Sequence, residues 1–81
     1  MSTERVARLM LLSPLEARVV LRMAACGPAT LRQLQAELDL SAGGVVALVQ
    51  RLEREGVVRR QAGVRLRLTP GAEREVEAAL S

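Results

Sequence analysis

Apolar residues recur at helical spacing over most of this chain and switch to alternation near its end. Leu15, Val19 and Met23 fall on one stripe that Val20, Leu21 and Ala24 widen, which predicts a helix over 14–25. Ser13-Pro14-Leu15-Glu16 punctuates its start: a hydroxyl to cap, a proline at the first helical position and a glutamate placed to close a capping box. Gly27-Pro28 stops it. Thr30 and Gln33 form a second capping box, opening a helix over 31–38 with Leu31, Leu34 and Leu38 inward. Asp39-Leu40 turns the chain. Ser41 then caps a helix over 42–55 whose buried stripe is Val45, Leu48, Val49 and Leu52, and Gly56 supplies a left-handed stop.

Beyond Gly56 the period becomes two. Val57-Val58-Arg59-Arg60 and Val64-Arg65-Leu66-Arg67-Leu68 read as strands of a hairpin over 57–68, turning at Ala62-Gly63. Thr69-Pro70 opens a last helix over 70–80 with Ala72, Val76, Ala79 and Leu80 on one face. Ahead of everything, a helix over 3–12 carries Val6, Leu9 and Met10 on one side. The expected fold is mostly α with a small β-hairpin, a single domain over 1–81 with its core in 13–72 and terminal helices at 3–12 and 70–80.

Composition narrows the chemistry. The 81 residues include no His, no Lys and no aromatic side chain, so imidazole-activated nucleophiles, imidazole metal ligands, Schiff-base lysines and base-stacking platforms are all excluded. Neither catalytic residues nor a metal or cofactor site is expected. Glu73 and Glu77 are four apart on the last helix, but with no His or Cys converging on them they read as a solvated face. The lone thiol, Cys26, fits a reducing compartment and reads as a small buried hydrophobe at a helix end. Leu9-Met10-Leu11-Leu12 is the densest apolar run and is cut by Ser13-Pro14, far short of the ~20 residues a bilayer requires. The N-terminus has no signal-peptide pattern, so a cytoplasmic protein with no membrane partner is expected.

Two short helices joined by a tight turn and followed by a hairpin make the winged helix-turn-helix arrangement. The stretches "LSPLEARVVLRM", "TLRQLQAELDLSAGGVVALVQRLEREGVVRR" and "VRLRLTPGAE" resemble the MarR family of bacterial regulators, above all in Arg51-Leu52-Glu53, Gly56-Val57-Val58-Arg59-Arg60 and Leu68-Thr69-Pro70-Gly71. The resemblance implies a dimeric regulator of transcription that binds double-stranded DNA, with the helix from Ser41 in the major groove and the hairpin as a wing on the backbone. The DNA-binding candidates are then Thr30 and Arg32 on the preceding helix, Ser41, Ala42, Gly43, Gly44, Val46, Ala47, Gln50, Arg51 and Arg54 on the recognition helix, and Arg59, Arg60, Arg65 and Arg67 on the wing.

Those candidates differ in kind. Base-edge reading uses bidentate groups, and the recognition helix offers only Gln50 as an adenine reader, with Ala42, Val46 and Ala47 able to touch thymine methyls. Low sequence specificity follows. Gly43 and Gly44 admit a close backbone approach to a phosphate or, as the blander alternative, packing against a neighbouring helix or drift at an unconstrained site. Residues 31–56 carry Arg32, Arg51 and Arg54 against Glu37, Asp39, Glu53 and Glu55, a net charge of −1, whereas residues 57–68 carry four Arg and no acid, a net of +4. A two-residue turn would set Arg60 opposite Arg65; a three-residue turn would set Arg59 there. Either crowds guanidiniums that a polyanion would relieve; the competing account has them solvated or paired to Glu53, Glu55 or acids of the last helix. Arg51 and Glu55, four apart, are expected to pair by default, the alternative being that Arg51 reaches a phosphate.

Apolar faces on the terminal helices point to a homodimer held through Val6, Leu9, Met10, Val76 and Leu80, the alternative being that both helices fold over the helix at 14–25 in a monomer. A different functional class also fits the apolar, acidic recognition helix: a winged helix that takes a protein partner and binds no DNA.

Overall fold

Four helices begin where cap chemistry places them, at Ser13, Thr30, Ser41 and Thr69. In the computed structural model, which describes residues 2–61 and 64–81, the Ser13 hydroxyl accepts from the Glu16 N–H at 3.2 Å and the Glu16 carboxylate accepts from the Ser13 N–H at 2.8 Å. Thr30 and Gln33 repeat that exchange at 3.1 and 2.9 Å, and Ser41 Oγ accepts from the Gly44 N–H at 3.0 Å. The elements are α1 (Ser2–Met10), α2 (Pro14–Cys26), β1 (Ala29–Thr30), α3 (Leu31–Leu38), α4 (Ala42–Arg54), β2 (Val58–Arg60), β3 (Arg65–Leu68) and α5 (Pro70–Leu80). The expected mostly α, winged arrangement is therefore what forms. α1 stops short of residue 12 because Leu11 takes a left-handed φ of 56°. α4 ends in a Schellman motif: with Gly56 at φ 75°, its N–H donates to the Glu53 carbonyl and that of Val57 to Leu52.

β1 has no counterpart in the sequence pattern. It adds a third strand, in the order β1-β3-β2, with Ala29 opposite Leu66 and Thr30 opposite Arg65. Across the hairpin Val58 faces Leu68, Arg59 faces Arg67 and Arg60 faces Leu66, and the Gln61 N–H donates to the Arg65 carbonyl at 2.8 Å. Both expected registers are thus corrected: Arg65 opposes Gln61, not Arg59 or Arg60. A slip of one residue exchanges the faces of a strand, and the two-residue-turn register would have turned Arg59 instead of Val58 toward Leu66 and Leu68. The other register would have set Gly56 against Leu68, but Gly56 is already committed to ending α4. The expected turn residues Ala62 and Gly63 lie outside the described residues.

The core is aliphatic. Val19, Val20 and Met23 of α2, Leu34 of α3, Val45, Val49 and Leu52 of α4 and Leu66 and Leu68 of β3 are buried together. Leu15, Leu21 and Leu48 are only partly covered, and Ala24 is exposed. Cys26 is also exposed, so its reading as a buried hydrophobe is wrong; Met23 is the last inward side chain of α2, and Cys26 falls beyond it, where the helix ends at Gly27. α1 packs on α2 and α5. Two ties brace the periphery. Arg22 donates two hydrogen bonds to Glu37, at 2.9 and 3.1 Å, joining α2 to α3, and this contact raises the Arg22 pKa above its ordinary value. Thr69 Oγ donates to the Gly56 carbonyl at 2.8 Å and accepts from the Ala72 N–H, fastening the start of the wing to the start of α5.

Candidate nucleic-acid interface

α3 and α4 are joined by Asp39, left-handed at φ 54°, then Leu40 and the cap Ser41. With Val45, Val49 and Leu52 turned inward, Ser41, Ala42, Gly43, Gly44, Val46, Ala47, Gln50, Arg51 and Arg54 are all exposed. Neither glycine is kept small by another helix. A Cβ on Gly43 would meet nothing within 4 Å, and one on Gly44 would meet Ser41 Oγ at 3.1 Å and Leu40 Cβ at 3.8 Å, both belonging to its own cap. The interhelix-packing reading of this pair is therefore removed. Arg32 and Arg54 are exposed and make no ion pair among the described residues. Thr30 has its hydroxyl engaged in its own capping box.

The sheet separates its side chains by alternation. Val58, Leu66 and Leu68 point into the core, and Arg60, on their face, reaches back from the sheet edge to Glu53 of α4 at 3.3 Å. Arg59, Arg65 and Arg67 share the opposite face, with Thr30 beside Arg65. Arg67 lies 3.7 Å from Glu73 at the start of α5. Arg59 and Arg65 make no ion pair among the described residues. The two accounts of the wing therefore divide it: Arg60 and Arg67 have intramolecular carboxylates, while Arg59 and Arg65 offer uncompensated charge.

Arg51 departs from expectation. Its partner is not Glu55 but Glu16, with Nε 3.3 Å from Oε2. The Glu16 side chain is 2% exposed, whereas that of Arg51 is 56% exposed. Oε1 of Glu16 serves the α2 cap, while Oε2 is buried without a hydrogen bond. Arg51 thus supplies the compensating charge for a buried carboxylate and ties α4 to α2. The capping-box pattern reveals that glutamate, but a partner 35 positions along the chain leaves no local signal.

The expected dimer residues separate as well. Val6 and Val76 are buried in the chain's own core, and Met10 is partly buried. Leu9 and Leu80 are 51% and 46% exposed, and Leu11, outside the expected set, is 86% exposed. Among the described residues no three His, Cys, Asp or Glu side chains gather to hold a metal, and no helix is long and apolar enough to cross a membrane.

No curated protein matches the sequence. Two solved structures superimpose on it closely. A disulfide-formed AbfR is 25% identical with a TM-score of 0.80, covering 98% of this chain and 58% of its own. An overoxidized AbfR bound to DNA is 25% identical with a TM-score of 0.77, covering 98% of this chain and 62% of its own. The present chain thus spans about three-fifths of the length of either. The model of the MarR family matches residues 12–67, from the residue before the α2 cap to the last arginine of the wing, and the chain belongs to that family.

Proposed function

We propose that this chain is the double-stranded-DNA-binding part of a transcriptional regulator, held to duplex mainly through phosphate contacts from the wing, with α4 in the major groove and few hydrogen-bonded base contacts. Family members are DNA-binding transcription factors rather than enzymes, and no catalytic role is assigned. The observation that carries the reading is the outer face of the wing. Arg59 stands directly opposite Arg67 with Arg65 beside them, and two of the three have no carboxylate partner among the described residues. Like charges directly opposite destabilise a sheet by some tenths of a kcal/mol, and a phosphate backbone laid on that face reverses the sign while releasing counterions. The DNA-bound AbfR structure, similar over nearly the whole of this chain, supports DNA as the partner. Gln50 is the one side chain of α4 suited to a bidentate contact with adenine. Leu9, Leu11 and Leu80 are the exposed apolar residues through which a second copy would bind, presenting two wings to one duplex.

Equilibrium binding of a duplex over a range of salt concentrations tests this. The expected result is a log–log slope that is steep and negative. Absence of binding by micromolar protein at low salt overturns the proposal and turns attention to α4 as a protein-docking surface.

A further inference from the structure

We infer that α4 selects A·T base pairs through apolar contact with thymine C5-methyl groups. This rests on the DNA-binding reading above and specifies what the recognition helix reads. Along the first two turns its exposed face is Ala42, Gly43, Val46 and Ala47, with no charge and no amide. The nearby hydroxyl, Ser41 Oγ, already accepts from the Gly44 N–H. The charged side chains that discriminate guanine or cytosine most strongly, basic for guanine and acidic for cytosine, are absent from these turns.

What is present is arranged for apolar contact. Val46 is 37% exposed, so part of an apolar side chain faces outward, although a β-branched residue is a poor choice for a helix surface. The open space around Gly43 leaves the backbone free to approach a surface outside the chain. Val46, Gln50 and Arg54 follow one another at four-residue intervals, so a single stripe runs from an apolar tip through an amide to a guanidinium. The thymine methyl is the one apolar feature on a major-groove base edge, and the adenine paired with it presents the N6 and N7 pattern that glutamine matches. Both parts of the stripe that reach bases therefore favour the same base pair. Arg54 and the wing arginines Arg59 and Arg65 supply positive charge around it, which commits the face to a polyanion.

The probe is a pair of A·T-rich duplexes of about 25 base pairs, more than two helical turns, identical except that uracil replaces thymine in one. The exchange deletes the methyls and leaves every hydrogen-bonding group in place. Affinity is expected to fall about fourfold for each methyl contacted, the equivalent of one buried methylene, with the salt slope unchanged. In a G·C duplex, replacing cytosine by 5-methylcytosine is expected to raise affinity. Val46→Ala, at an exposed site where thermal stability should be unaffected, is expected to shrink the thymine–uracil difference. Equal affinity for the thymine and uracil duplexes overturns the methyl inference while leaving the DNA reading intact; failure of both duplexes to bind at low salt overturns both.

Discussion

The recognition helix and the wing carry opposite kinds of surface. On α4 the outward turns are apolar and uncharged until Gln50 and Arg54, whereas the outer face of the sheet is dominated by Arg59, Arg65 and Arg67. A face of alanine, glycine and valine supplies shape and methyl contact but little long-range attraction. A face of guanidiniums supplies attraction that every sequence of duplex satisfies equally. Under the DNA-binding function proposed above, the difference teaches that attachment and selection fall on separate elements, joined by a framework that fixes their relative position. That framework is the Thr69 bridge between the start of the wing and α5, the Arg60–Glu53 tie from wing to α4, and the Arg51–Glu16 tie from α4 to α2.

The largest effect is expected where one substitution undermines both regions. Leu66 is fully buried beneath the sheet, and Leu66→Ala should cost about 2–5 kcal/mol, a large part of the stability of a small domain. Thermal unfolding monitored by circular dichroism checks it; an unchanged midpoint would mean that the wing does not share the core. Next comes the tie beneath α4. Arg51→Ala leaves the buried Glu16 Oε2 without its charge partner, and because the arginine is more than half exposed the expected cost is only about 1–2 kcal/mol. Glu16→Gln keeps an acceptor for the Ser13 N–H and should lose less. Denaturant titration of the two variants separates them, and the reverse order would show that the Glu16 charge stabilises this corner by some route other than Arg51. The smallest effect on overall affinity is expected at Gln50→Ala, which should alter preference among A·T-containing sites more than it weakens binding to mixed duplex. Competition between duplexes reads this directly, and an unaltered preference would remove Gln50 as a base reader.

Much of this division can be read before any coordinates. The cap residues Ser13, Thr30, Ser41 and Thr69 locate four helix starts because each competes for backbone N–H groups within three positions. The inward stripe of α4 follows from spacing alone, and so does its bare outward face. What escapes the sequence is non-local. β1 is two residues long and exists because Leu66 and Arg65, far along the chain, pair with it. The hairpin register depends on which valine meets Leu68 inside the core, and a count of turn residues does not contain that choice. Glu16 advertises one bond through its cap and conceals the second to Arg51. Val6 and Val76 belong to an apolar pattern that is the same whether its partner is a second copy or the chain's own α1, α2 and α5; here they are buried within the chain.

The separation of attachment from selection is tested most directly by the salt slope of duplex binding for the intact protein and for Arg59→Ala/Arg65→Ala. These two exposed arginines have no carboxylate partner among the described residues, so removing them should leave the fold intact. The account expects the slope to become shallower by about 1.8, close to 0.9 for each phosphate that is no longer neutralised, with the ranking of duplexes unchanged. A slope that stays the same would contradict it.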